Sequence, residues 1–495
     1  MSTSTSTSGR SGAAAEAGAE AGTAVPPPEC PAHAAFGQGA ALTALYGPEA
    51  QHDPRAVYEK LRAEHGGIAP VELEGGVPAW LVLGYRENME VARTPMRFTR
   101  DARFWRDWTE GRIAADDPLI PLIGWRPDVV SYDGEEHQRL RAAVNECLTR
   151  FDRHGTRRHV QRYANQLIDG FVQDGTADLV SQFAAYLPML VLSRLVGLGE
   201  EHGPKLVEAI VGMVNGGEEA YARNQYIIGT LRSLTEERRK VPAHDLASWF
   251  IQHHSGLNDE EVLNHLRLVI VLGYEATTNL VSNTLRMVLT DPRFRASLAG
   301  GLMTLPDAVE QMLWDDPPLL VCPARFATHD LQFAGKEIRE GDMLLLGIAA
   351  GNADPQIRPN LGAPMHGNRS HLAFSRGPHE CSGQEIARAI TDTGVDVLLN
   401  RLPDLHLAVR EDQLTWTAST WSRRLDALPV RFAPQRRPVQ QPAPAAPAAS
   451  AAVEPSAAKH ALEALEAVAE AGGQARTDTR RGFRASLIGL FRGRP

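Results

Sequence analysis

Cys381 lies in the segment Phe374-Ser-Arg-Gly-Pro-His-Glu-Cys-Ser-Gly-Gln-Glu-Ile-Ala-Arg388, where a loop turns into a helix containing Gln384, Ile386, Ala387 and Ile390. A thiol at that point feels the positive end of the helix dipole and can accept backbone N–H bonds. Both effects lower its pKa and favour the anion, the form that ligates a metal. Gly377 and Gly383 flank the cysteine. One permits a backbone with positive φ, and the other lets a flat ligand approach the helix closely. His379 offers a donor beside the sulfur, and Phe374 an apolar wall that excludes water. The plain alternative is a small buried hydrophobe at an unrelated helix start, the default for a lone cysteine.

The other three cysteines, Cys30, Cys147 and Cys322, form no CxxC pair and no zinc spacing. A disulfide framework is not expected in a chain of 495 residues, so a reducing cytoplasm is the simpler setting. Hydrophobic residues make up 43% and charged residues 22%, as in an ordinary globular protein. A net charge of −9 argues against general nucleic-acid binding. No run of about 18 apolar residues occurs. The N-terminus lacks the basic start and apolar core of a signal peptide, so a membrane-anchored form is not expected.

The elements that must position Cys381 are mostly helical. Residues 1–40 are rich in Ser, Thr, Ala, Gly and Pro and bury too little surface to order themselves. Asp53-Pro54 reads as an N-cap followed by proline at the first helical position. Residues 68–83 read as two strands around Gly75-Gly76. Helical patterns dominate from there to about residue 315. The clearest helix starts at Asn258, with Glu261 completing a capping box, and runs to Thr290. At 1.5 Å per residue it would be about 50 Å long, enough to cross the core of one large domain. Short strands follow between Leu331 and Leu346. After Phe432, residues 434–455 form a Pro/Ala-rich linker. Residues 456–495 contain a short helix and then a tail placing Phe483, Leu487, Leu490 and Phe491 among arginines. That tail suits an anionic membrane surface or a protein partner, or is simply solvated.

The spacing Phe374, Gly377, His379, Cys381, Gly383 closely resembles the heme-binding loop of cytochromes P450, with Ser375 where glycine is usual. The resemblance covers residues 41–433. It implies a mainly α fold with small β-sheets (α+β), forming a single large heme-binding domain. It also implies heme b as cofactor, with the Cys381 thiolate as the axial iron ligand favouring O–O cleavage. His137 and Arg141, at i and i+4 on one helix face, resemble the helix C residues that bind heme propionates. Read in isolation they make a solvated charged face. Arg325 resembles the strand arginine that binds a propionate.

Two stretches depart from the family pattern. The long helix carries Leu272-Gly-Tyr-Glu-Ala-Thr-Thr-Asn279. Gly273 and Glu275 match the positions that make room for dioxygen and supply an acid, but Ala276 replaces the usual alcohol. Thr277 lies about 100° around the helix and serves only if the helix bulges. Alternatively, Thr277 and Thr278 bond to carbonyls within the helix. The next helix carries Glu310-Gln-Met-Leu-Trp314, so Gln311 and Trp314 stand where the family has a Glu–Arg ion pair. The arginine usually found in the following meander is missing from a shortened Arg358–Pro364. This resembles an actinobacterial subgroup of the family. Loss of the whole network is tolerable, whereas a lone buried charge would cost several kcal/mol.

The resemblance implies a monooxygenase for a small organic substrate, with electrons from a ferredoxin and ferredoxin reductase docking on arginines near Cys381. Asp101, Arg103 and Trp105 are expected to line the substrate pocket. Two other readings stay open: a catalytically weakened heme-binding regulatory or interaction protein, and a peroxide-driven heme enzyme.

Overall fold

The long helix forms as its capping signals require. In the computed structural model it spans Asp259–Thr290, and Asn258 and Glu261 cap each other reciprocally, with both bonds at 2.9 Å. Residues 42–436 are described, apart from 48–49, 51, 215–218, 292–293, 295–299, 302 and 366. The N-terminal tail (1–40), the bulk of the Pro/Ala linker and the amphipathic C-terminal segment therefore lie outside the described residues.

Helices dominate. In chain order they are α1 (Pro54–His65), α2 (Tyr85–Arg93), α3 (Gly134–Thr149), α4 (Arg153–Phe171), α5 (Leu187–Val196), α6 (Gly203–Val214), α7 (Ala220–Lys240), α8 (Leu246–Gln252), α9 (Asp259–Thr290), α10 (Leu305–Asp315) and α11 (Gln384–Arg401). α9 is the axis of the molecule: α5, α7, α8, α10 and α11 all pack on it. Residues such as Leu266, Ile270, Leu280, Val281 and Leu285 are fully buried along its length, which is why a helix with so few charges is stable there.

Among the described residues, four small sheets complete the fold. The largest has the order β1-β2-β3-β9-β6-β4, with β1 (Thr43–Ala44), β2 (Ile68–Leu73), β3 (Val77–Val82), β4 (Phe98–Thr99), β6 (Val321–Ala327) and β9 (Met343–Gly347). The turn between β2 and β3 uses Gly75 and Gly76 at φ 86° and 77°, where a side chain would be strained. The others pair β5 (Thr176–Asp178) with β10 (His406–Leu407) and β13 (Pro429–Arg431), β7 (Leu331–Phe333) with β8 (Lys336–Ile338), and β11 (Trp416–Ala418) with β12 (Arg423–Leu425). β6 slips register against β9 between Cys322 and Arg325. Such a bulge re-aims side chains and places these two residues in different surroundings.

The polar network expected to be lost around α10 is instead relocated. Gln311 donates from Nε2 to Asp315 at 2.8 Å and accepts from the Met365 backbone at 2.6 Å. Asp315 pairs with the buried Arg358 of the meander at 2.6 Å. Trp314 donates to the Asn368 carbonyl at 2.8 Å and lies nearly parallel to Tyr85, with ring centroids 6.5 Å apart. One residue earlier, Glu310 takes Arg388 at 2.6 Å and His371 at 3.0 Å. The meander does contain a pairing arginine; its acid has moved one helical turn along α10.

Candidate active site

The Cys381 loop is fixed from three sides. The Cys381 backbone N–H donates to the Phe374 carbonyl at 2.9 Å, closing the loop on itself. Phe374 is buried against His371, and the Arg388 guanidinium sits 4.6 Å over its ring. Gly377 has φ 74°, and a Cβ there would sit 2.6 Å from the Ala92 carbonyl of α2, so glycine is required. Gly383 is the N-cap of α11 and its backbone N–H bonds the Cys381 sulfur. Phe374 belongs to an apolar cluster that includes Leu280 and Met287 of α9 and Val309 and Leu313 of α10.

The electrostatics of the thiol differ from the sequence expectation. The side chain has an exposed surface but sits in crowded surroundings, and burial pushes the Cys381 thiol up. The Gly383 N–H, Arg141 and Arg388 pull it down without cancelling that effect. Desolvation opposes the helix terminus, since α11 starts three residues past the sulfur.

Beside the loop lies a buried, basic pocket. His379 meets Asp133, the N-cap of α3, at 2.8 Å, and its ring is 4.3 Å from that of His137. Burial holds both histidines below their ordinary range, so both are neutral. Asp133 also accepts from Thr99 Oγ1 at 2.7 Å and the Arg100 backbone at 3.0 Å, which keeps it ionised with a pKa near 2. Arg141 donates to the Glu380 carbonyl, tying α3 to the loop. Arg325 is 2% exposed, and burial lowers it to about 9. Its hydrogen bond is to the neighbouring Ala324 carbonyl at 3.3 Å. His137 Nε2 is buried and unpartnered. Unsatisfied donors and a buried guanidinium without a carboxylate are costly in an apolar interior. This donor set fits a cofactor that brings carboxylates between α3, β6 and the Cys381 loop.

A separate cavity lies between α9, residues 121–131, β6 and the Trp421–Ser422 corner. α9 turns Leu272, Glu275 and Ala276 toward it. Gly273 instead faces α5, where its missing Cβ would meet Leu192 at 3.2 Å. Thr277 is buried outside the cavity lining, because α9 runs through this stretch as unbroken α-helix without the bulge that would turn it inward. Glu275 Oε1 accepts from Asn279 at 3.2 Å and from Ser422 Oγ at 3.3 Å, while Oε2 is buried and unpartnered. Asp101, Arg103 and Trp105 do not line this cavity. Arg103 pairs with Asp101 and covers Trp125, and Trp105 is buried in the core under the large sheet.

The structure thus brings Cys381, Phe374, Gly377, His379, Gly383, His137, Arg141 and Arg325 into one region and sets Glu275 on the cavity wall. Asp133, Arg100, Asn279 and Ser422 join them. Asp133 carries a sequence signal as an N-cap; Ser422 carries none, since its partner lies 147 residues away.

Known proteins agree. No protein-family profile matches the chain. The cytochrome P450 monooxygenase PikC of Streptomyces venezuelae is 31% identical over 390 residues, covering 77% of this chain and 91% of that protein. The mycinamicin IV hydroxylase/epoxidase of Micromonospora griseorubida is 32% identical over 376 residues, covering 72% and 90%. Among solved structures, CYP154C4 from Streptomyces sp. ATCC 11861 matches with a TM-score of 0.74 at 28% identity, covering 79% of this chain and 98% of that one. With this fold and these relatives, the chain belongs to the cytochrome P450 family, as a heme-iron monooxygenase that inserts one oxygen atom of dioxygen into a small organic substrate.

Proposed function

We propose that Cys381 is the axial iron ligand of heme b, that His137, Arg141, Arg325 and His379 receive its propionates, and that Glu275 handles protons on the substrate side. The observation that carries this reading is the basic pocket beside the Cys381 loop, where His137 Nε2 is buried and unpartnered and the buried Arg325 forms no ion pair among the described residues. Heme held there would supply dioxygen binding and O–O scission, with the electrons delivered from a redox partner. A metal ion held by Cys381 would favour the deprotonated sulfur, since a coordinating thiol is deprotonated outright. Arg141 and Arg388 then face an anion rather than a thiol.

Glu275 holds a proton-accepting oxygen at Oε2, while Asn279 and Ser422 fix Oε1. Ser422 therefore brings an alcohol to the acid where Ala276 supplies none. The non-catalytic heme-binding reading rested on the missing alcohol and the missing ion pair. It weakens with Ser422 beside Glu275 and with Asp315 paired to Arg358. We assign electron supply to a ferredoxin and its reductase, consistent with the family's usual pattern. Free Cys147, Cys322 and Cys381 support a reducing compartment, the cytoplasm. Among the described residues, no helix is long and apolar enough to cross a membrane.

The test is optical. The reduced, CO-bound protein should show the long-wavelength band of thiolate-ligated heme. Cys381→Ala should lose that band, and Arg325→Gln should weaken heme retention with the band position unchanged. A Cys381→Ala variant that keeps the band would place the iron ligand elsewhere.

A further inference from the structure

The end of the cavity away from Glu275 is built around two buried arginines. Arg267 lies on α9 two turns before Glu275 and is 5% exposed. Its Nε donates to Asn224 of α7 at 2.7 Å, and its Nη2 donates to the Pro121 carbonyl at 2.7 Å and lies 3.6 Å from Met213 Sδ. Nη1 donates to no described residue. Arg126 reaches only carbonyls, Gly124 at 2.9 Å and Ile120 at 2.8 Å. Both line the same cavity as Glu275 and Ala276.

The two guanidinium groups are close enough to repel. Burial first, and Arg126 second, lower Arg267 to about 9. Asp128, also on the cavity wall, is the acid near them. Its Oδ1 is taken by the Val130 and Ser131 backbone N–H groups and the Ser131 hydroxyl, at 2.9, 3.2 and 3.3 Å. Among the described residues, no carboxylate forms an ion pair with either arginine. The bonds to Asn224 and Pro121 account for Arg267 as a clasp between α9, α7 and residues 121–131. A neutral donor would serve that purpose. What they leave unexplained is the charge, since an unpaired buried guanidinium costs several kcal/mol.

We propose that Arg126 and Arg267 bind the carboxylate of the substrate, so that the chain oxidises an organic acid at a carbon remote from its acid group. Of the charged side chains lining the cavity, Arg100, Arg126 and Arg267 stand against Asp128 and Glu275, which leaves about one positive charge uncompensated and matches a monoanionic carboxylate better than a dianionic phosphate. The planar fork of arginine suits that group. Nine residues of helix separate Arg267 from Ala276, about 13 Å at 1.5 Å per residue, which sets the span between the anchored acid and the reacting carbon. This rests on the reading of the Glu275 cavity as the substrate site of a heme-loaded enzyme.

The test titrates full-length heme-loaded protein with dodecanoate and phenyloctanoate, each beside its methyl ester, following the heme absorbance shift and binding heat. The acids should bind at least about tenfold tighter than the esters, a difference of about 1.4 kcal/mol. Arg267→Gln and Arg126→Gln should each reduce that preference to about twofold, while ester affinity and the reduced-CO band stay unchanged. Arg267→Lys should keep part of the preference, because it keeps the charge. Equal binding of acid and ester by the wild type overturns the proposal, as does an equal loss of both in Arg267→Gln and Arg267→Lys, which would make the residue a clasp alone. A wild type without the thiolate CO band sinks the underlying heme reading instead.

Discussion

Ser375 holds a backbone φ of 58°, its hydroxyl is buried without a partner, and it stands where the family loop has glycine. A left-handed non-glycine residue costs roughly 1–2 kcal/mol, and the greater freedom of glycine in the unfolded chain returns about 0.4–1 kcal/mol of that. Ser375→Gly should therefore stabilise the holoprotein by about 0.5–1 kcal/mol, seen as a higher urea midpoint with an unchanged CO band. On the other side of the site, Ser422→Ala removes the bond to Glu275. An ordinary hydrogen bond is worth about 0.5–1.5 kcal/mol, so product formed per NADPH should fall roughly twofold to tenfold, with peroxide rising in step. Ser422→Thr should keep the coupling, and Ala276→Thr should raise it in the wild type and restore it in Ser422→Ala. Unchanged coupling in Ser422→Ala would remove that alcohol from proton handling. The Cys381 loop was legible in the sequence because its residues are contiguous, although Gly377 and His379 act through the distant Ala92 and Asp133. Ser422 and Arg267 were not, because their importance arises from partners 147 and 146 residues away.

At the scale of elements, α9 was legible almost to the residue, since a capping box and a following Asp-Pro are local signals. α10 was misread for an instructive reason. Gln311 and Trp314 leave an ion pair missing from its usual positions, but charge can move along a helix by one turn or to the next face. Asp315 and Glu310 do this, and only the folded meander reveals their partners Arg358, His371 and Arg388. Glu310 is the joint between α10 and α11. His371 and Arg388 hold its carboxyl down near 2 against an ordinary 4.5, despite the opposing effect of burial. Between those values the unfolded chain binds the proton and the folded one does not, so this joint stabilises above pH 4.5 and its contribution falls as pH drops toward 2. Glu310→Gln should cost about 1.5–3 kcal/mol near neutral pH, because it removes the charged hydrogen bonds from Arg388 and leaves that residue only Glu385, at 3.4 Å, as a carboxylate partner. It should also flatten the acid limb of the stability curve below 4.5, read from urea midpoints across pH. An acid limb identical to the wild type would assign that limb to other carboxylates.

For the whole molecule, sequence composition divided the chain at residue 433, where large side chains give way to Pro and Ala. Hydrogen bonding carries the folded part further. The Ala433 backbone donates to Asp404 at 2.6 Å, and Gln435 donates from its backbone to Val172 at 2.9 Å and from its side chain to the Arg401 carbonyl at 2.7 Å. Pro434 lies against Gly175, where φ is 68° and a Cβ would come within 2.9 Å of the proline ring. Composition could not show this, since short polar and proline residues look alike in a linker and in a strand's last contacts. Removal of residues 437–495 should leave the heme spectrum and thermal midpoint within error of the full chain. Removal from residue 434 should keep the heme but lower stability by about 1–3 kcal/mol, for two hydrogen bonds at about 1 kcal/mol each and the proline contact. If the shorter truncation sheds heme, the tail beyond residue 436 helps hold the fold. If the two truncations melt alike, the β13 end needs nothing past Ala433 to stay docked on α4 and α11.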